Sequence, residues 1–80
     1  AINQTLQQVC QRVQDGERDF AAIEAEAAES LSNSVDKVEY LAIRQASDLT
    51  PPGESTRHLV VLAAAELSGV RLIDNELVEL

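Results

Sequence analysis

Eighty residues allow one small domain, which buries only ~60% of its unfolded surface, and 6 basic against 14 acidic residues give it a net charge of −8. Acidity of that size repels phosphate backbones and anionic bilayers, which argues against nucleic-acid binding and peripheral membrane roles. A single cysteine, Cys10, excludes an internal disulfide and a cysteine-based metal cluster, in keeping with a cytoplasmic setting. No apolar run reaches the ~18 residues of a membrane span, and no basic segment opens a signal peptide. The chain begins at Ala1 and contains no methionine, so it is expected to be a piece of a longer protein. Phe20 and Tyr40 are its only aromatic residues, which leaves the core to Leu, Val, Ile and Ala.

In chain order, Ile2, Leu6, Val9, Cys10 and Val13 repeat with the 3.6-residue period of an amphipathic helix over 2–14. Gln and Asn fill its other face, and Asp15-Gly16 stops it with a glycine suited to a left-handed cap. Cys10 lies on the apolar stripe as a small core residue. Asp19 is the predicted N-cap of a second helix, in which Phe20, Ile23, Ala27 and Leu31 form the stripe. Glu24, Glu26 and Glu29 lie off that stripe with no histidine beside them, the pattern of a solvated face rather than a metal or acid–base site. Ser32-Asn33-Ser34 ends this helix.

Residues 35–46 alternate as a strand, with Val38, Tyr40 and Ala42 on one face and Leu41 and Ile43 on the other. Ser47–Ser55 is irregular: Pro51-Pro52-Gly53 continues neither helix nor strand. It is no phosphate loop, having a single glycine and two prolines without N–H donors. His58, the only histidine, and Lys37, the only lysine, read as strand-end surface groups.

The most apolar stretch is His58–Leu80, broken by Ser68-Gly69, a signature of a two-residue hairpin. Centred there, the hairpin pairs Leu67 with Val70, Glu66 with Arg71, Ala65 with Leu72 and Ala64 with Ile73. One face then carries Leu59, Val61, Ala63, Ala65, Leu67, Val70 and Leu72 and is expected to form the core. The other carries His58, Val60, Leu62, Ala64, Glu66, Arg71, Ile73 and Asn75, with an apolar middle that a free-standing two-layer domain does not need. Opposite charges at Glu66 and Arg71 support this register. Segregated helices and strands predict an α+β two-layer sandwich, a three-stranded antiparallel sheet with two helices packed on one face. Which edge the first strand joins stays open.

The residues carry a resemblance as well. Val70-Arg71-Leu72-Ile73-Asp74-Asn75, followed by Glu76–Leu80, resembles the C-terminal end of the pantothenate synthetase (pantoate–β-alanine ligase) family. Gln14–Asp19 is similar to that family's inter-helix turn, and Val38–Arg44 to the first strand of its C-terminal domain. The Thr50–Gly53 loop and Ser68-Gly69 are not family hallmarks. The resemblance implies that 1–80 is a lid domain over a cleft formed with an N-terminal nucleotide-binding domain, in a cytoplasmic and homodimeric parent. It implies a parent reaction using ATP and Mg. Pantoate is activated as a pantoyl adenylate with loss of pyrophosphate, and β-alanine then gives pantothenate and AMP. One His excludes the family's His-x-Gly-His motif from this chain, so no catalytic, cofactor-binding or metal-binding residue is expected here. The residues expected on the interdomain face are Val60, Leu62, Arg71, Ile73 and Asn75. The competing expectation, from another class, is a stand-alone acidic interaction or oligomerisation module that uses the same open face or a sheet edge.

Overall fold

The computed structural model describes residues 2–53 and 55–80; Ala1, and Glu54 within the predicted irregular stretch, lie outside the described residues. The elements are α1 (Ile2–Gln14), α2 (Phe20–Ser32), β1 (Lys37–Gln45), β2 (His58–Leu67) and β3 (Val70–Glu79). The strands form one antiparallel sheet in the order β1-β2-β3, which places β1 beside β2 and answers the question of its edge. Helix α1 lies against β3 and β2, and α2 against β1. The result is the expected α+β two-layer sandwich, about 39 × 22 × 16 Å.

The helices form where their stripes predict. Ile2, Leu6, Val9 and Val13 of α1 are buried, as are Ile23, Ala27 and Leu31 of α2. Gly16 adopts φ +109. The Glu17 N–H donates to the Arg12 carbonyl and the Gly16 N–H to the Val13 carbonyl, each at 3.1 Å. These are the two bonds of a Schellman cap, which satisfy carbonyls that the helix end would otherwise leave free. Nothing lies within 4 Å of a Cβ built on Gly16, so glycine is required there by its dihedral and not by space. At the start of α2, Asp19 Oδ1 accepts the Ala22 N–H at 3.2 Å, the predicted N-cap.

The hairpin has the expected register throughout: Leu67 opposite Val70, Glu66 opposite Arg71, Ala65 opposite Leu72 and Ala64 opposite Ile73. Ser68 (φ 54) and Gly69 (φ 79) are both left-handed, the geometry of a type I′ turn whose twist matches that of the strands. The Ser68 N–H donates to Asp36 Oδ2 at 2.7 Å, and the Asp36 N–H to the Glu66 carbonyl at 2.8 Å. The start of β1 is thereby tied to the hairpin tip.

Three expectations are corrected. Val38 pairs with Ala65 and Tyr40 with Ala64, so Glu39 is an extra residue, a bulge. The bulge shifts the alternation: Val38 packs against the core beside Leu41 and Ile43, while Tyr40 and Ala42 stay on the opposite face. Leu67 and Val70, expected in the core, are exposed. Thirteen-residue helices span ~20 Å, whereas ten-residue strands span ~33 Å. The hairpin tip overhangs the helix layer, and the core ends at Ala65 and the half-buried Leu72. At the opposite end Leu59 and Val78 are almost fully buried, and Val78 belongs to the core although the predicted core face stopped at Leu72.

Two stability measurements follow from these contacts. In urea titrations, Leu6→Ala is expected to cost about 2–5 kcal/mol through the cavity it leaves. Gly16→Ala is expected to cost about 1–2 kcal/mol, because alanine is strained in the left-handed region; a neutral Gly16→Ala would remove the cap from the account.

Candidate interaction face of the sheet

Opposite the helices, the sheet presents an uncovered face. Register places on it Tyr40, Ala42 and Arg44 from β1, His58, Val60, Leu62, Ala64 and Glu66 from β2, and Arg71, Ile73, Asn75, Leu77 and Glu79 from β3. The five residues expected on an interdomain face, Val60, Leu62, Arg71, Ile73 and Asn75, are therefore brought together on one side. Burial grades across it. Val60 keeps only 6% of its surface and Ala64 none, whereas Tyr40 keeps 42%, Ile73 59% and Leu77 71%. An apolar strip of this kind, rimmed by charge, is the usual mark of a contact surface. The strip reaches a recess at the end of the sheet remote from the turn, lined by Ala46, Ser47, His58, Leu59, Leu77, Val78 and Glu79.

Leu77 extends the open face two residues beyond Asn75, where the expected face stops, and the same strand alternation reaches it. The charged rim also departs from expectation. Arg71 stands opposite Glu66 in register, yet its Nε donates to Glu39 Oε2 at 2.9 Å. The bulge that displaces Glu39 puts that carboxylate within reach. His58 Nδ1 lies 3.7 Å from Glu79 Oε1.

Glu24 does not belong to a solvated helix face. One of its oxygens, Oε2, accepts the Ile43 N–H at 2.6 Å and an Arg44 Nη1 donor at 2.9 Å. Arg44 also donates to the Ile43 carbonyl at 2.8 Å. A side chain of α2 thus occupies the outer row of β1, one of the ways proteins keep an edge strand from pairing with another chain. Further along, the Gln45 N–H donates to the Thr50 carbonyl at 2.8 Å, and Asp48 Oδ1 accepts both the Thr50 N–H at 3.1 Å and the Thr50 hydroxyl at 2.7 Å. Those two bonds, the hydroxyl first, hold the Asp48 carboxyl below its ordinary range. On the helix side, Asn3 Nδ2 donates to Asp74 Oδ2 at 3.4 Å and Glu76 Oε1 at 3.1 Å, joining the first turn of α1 to β3. Burial, and then the charge of Glu76, push the Cys10 thiol above its ordinary range.

Among the described residues, no group of three or more His, Cys, Asp or Glu side chains is placed to hold a metal ion, and no helix is long and apolar enough to cross a membrane. The arrangement is that of an α+β two-layer domain with one packed and one open sheet face. Residues 1–77 match the family model described as pantoate-beta-alanine ligase. The chain is 46% identical over 79 residues to the pantothenate synthetase of Methylococcus capsulatus, covering 99% of this chain and 28% of that protein. It is 44% identical over 75 residues to the pantothenate synthetase of Pseudomonas paraeruginosa, covering 94% of this chain and 26% of the relative. The corresponding values for the enzyme of Stutzerimonas stutzeri are 46% over 79 residues, 99% and 28%. The chain belongs to the pantoate-beta-alanine ligase family, and it spans 26–28% of the length of these relatives.

Two outcomes test the electrostatics. Glu24→Ala is expected to lower stability by about 1.5–3 kcal/mol and to speed amide exchange at Ile43; unchanged exchange would show that the edge is held by something else. For Cys10, the folded thiol titrates above the unfolded one. The native state therefore holds the extra proton between the two values, and stability falls as pH rises through that window. The urea midpoint of the chain is expected to fall more steeply above pH 8 than that of Cys10→Ser; parallel curves would contradict a raised pKa.

Proposed function

We propose that residues 1–80 form the C-terminal lid domain of an ATP-dependent ligase that condenses pantoate with β-alanine. The observation that carries this reading is the match of nearly the whole chain to one family, whose relatives here are named pantothenate synthetases. The open sheet face supports it, because an apolar strip around Val60, Leu62, Ile73 and Leu77 suits a surface that closes on a second domain. In the parent, pantoate carboxylate attacks the α-phosphate of ATP to give a pantoyl adenylate and pyrophosphate. The β-alanine amine then attacks the acyl carbon, releasing pantothenate and AMP. An acyl adenylate is lost to water unless the site is closed, so a lid contributes by excluding solvent rather than by supplying a reacting group.

ATP, Mg and both substrates are assigned in this reading to the N-terminal nucleotide-binding domain. Among the described residues no group of three or more His, Cys, Asp or Glu side chains is placed to hold the metal, and no chemical step is routed through this chain. Arg71 and Asn75 order the rim of the interdomain face, with Val60, Leu62 and Ile73 as its apolar floor. The parent is proposed to be cytoplasmic and homodimeric.

Expressed in its complete natural reading frame, the protein is expected to form pantothenate and AMP from pantoate, β-alanine and ATP, while residues 1–80 alone form neither. In the complete protein, Leu77→Glu on the exposed strip is expected to release several AMP per pantothenate, since a poorly sealed adenylate hydrolyses. One-to-one release in that variant, at unchanged rate and stability, would sink the lid role. Activity from residues 1–80 alone would contradict the absence of catalytic groups.

A further inference from the structure

Where the turn between α1 and α2 meets the entry to β2 and the exit from β3, the surface opens into a recess of about 300 Å³ lined by Arg18, Ser55, Thr56, Arg57 and Leu80. One wall is fixed to the sheet: the Leu80 N–H donates to the Arg57 carbonyl at 2.8 Å, and Leu80 packs against the core. Arg18 is fixed from the other side. Its Nη1 donates to the Val13 carbonyl at 2.7 Å and to the Glu17 carbonyl at 2.8 Å. Those bonds leave the Nε–Nη2 edge of the guanidinium, the fork that matches an oxyanion. Thr56 is held as well. Its Oγ1 accepts the Gly53 N–H at 2.9 Å, which leaves the hydroxyl proton to donate.

Charge sets this recess apart. Acidic residues outnumber basic ones 14 to 6, and most arginines find a carboxylate. Arg12 pairs with Glu17 and Glu26, Arg44 with Glu24, and Arg71 with Glu39. The two arginines that remain, Arg18 and Arg57, make no ion pair among the described residues, and both line the recess. Two guanidinium charges and two hydroxyls thus border one volume, and no carboxylate side chain lines it. A phosphate monoester answers that set, with about −1.5 to −2 charges at pH 7 and three acceptor oxygens. A monocarboxylate would engage one fork and leave the second cation unmatched. The net charge of −8 repels polyanions and anionic bilayers, which favours a small free ligand.

We infer that this recess binds the phosphate group of a small phosphorylated metabolite, with Arg18 and Arg57 as its forks and Ser55 and Thr56 as further donors. A phosphate seated there joins the α1–α2 turn to the ends of β2 and β3. None of the lining residues belongs to the open sheet face, so the site stands apart from the lid reading and either can fail without the other.

The test titrates the complete reading frame with inorganic phosphate at constant ionic strength, chloride making up the balance, and follows the backbone amide resonances of Thr56, Arg57 and Leu80. These report on the recess, so phosphate taken up by another domain does not enter the reading. The resonances are expected to move and saturate, with glycerol 3-phosphate acting alike and acetate leaving them in place. Arg57→Gln is expected to weaken the binding read at Thr56 and Leu80 by about ten-fold or more. Lys37→Gln removes the same charge beside Glu66 at the other end of the sheet and is expected to leave binding unchanged. Arg57→Lys, which keeps the charge and loses the fork, is expected to weaken binding several-fold and supplies the comparison should Arg57→Gln fail to fold. Drift without saturation, equal saturation by acetate, or equal weakening by Lys37→Gln would overturn the inference. Co-sedimentation with phosphatidate vesicles that Arg57→Gln abolishes would make a bilayer headgroup the source and overturn the assignment to a free metabolite.

Discussion

Ser68 and Gly69, both in the left-handed region, hold β2 against β3 in a register that the rest of the molecule has to accommodate. A slip of one residue would turn Leu59, Val61, Ala63 and Ala65 away from the helices and bring Val60, Leu62 and Ala64 beneath them. Because both sets are apolar, burial alone separates the two registers weakly. The turn breaks that near-tie, and Asp36 reinforces it by accepting the Ser68 N–H. Once β2 is fixed, β1 has to meet it in phase at both ends, and the extra residue at Glu39 makes this possible. It lets Val38 join the core while Tyr40 stays outside, and it brings the Glu39 carboxylate to Arg71.

The two faces that result differ in cover and composition. The packed face is closed by short helices over small residues, and fully buried Ala63 and Ala65 leave room for the helix layer to approach the central strand. The open face has no such cover, yet its middle is apolar. Of the charged residues on that face, Arg44, Glu66, Arg71 and Glu79 stand toward the strand ends and edges and do not interrupt the strip. The edges divide in the same way. Glu24 and Arg44 shut β1 against further pairing, whereas β3 remains an uninterrupted strand.

How much of this was legible in the sequence depends on how local each cause is. The helix stripes, the Gly16 and Asp19 caps and the hairpin register rest on neighbours within a few positions, and all could be read directly. The placement of Val60, Leu62, Arg71, Ile73 and Asn75 on one face followed from that register. The bulge left no comparable trace, because Glu39 is neither glycine nor flanked by turn residues, and its necessity arises only when β1 meets β2. Glu24 looked like one of several solvated carboxylates; its role depends on where α2 crosses β1, which no spacing within α2 encodes. Exposure of Leu67 and Val70 reflects the relative lengths and alignment of two layers. The Arg-Leu-Ile-Asp-Asn segment pointed to the right family although its residues work here in strand pairing and edge chemistry.

The central claim is that the sheet face opposite the helices is the surface this domain turns toward the remainder of its parent protein. Hydroxyl-radical footprinting, comparing residues 1–80 alone with the complete reading frame, addresses it most directly. Tyr40 and Leu62, which sit away from the β3 edge, are predicted to be several-fold less modified in the complete protein, while the exposed face of α2 is labelled equally in both. Equal labelling of Tyr40 and Leu62 in the two forms, with protection of α2 instead, would contradict it.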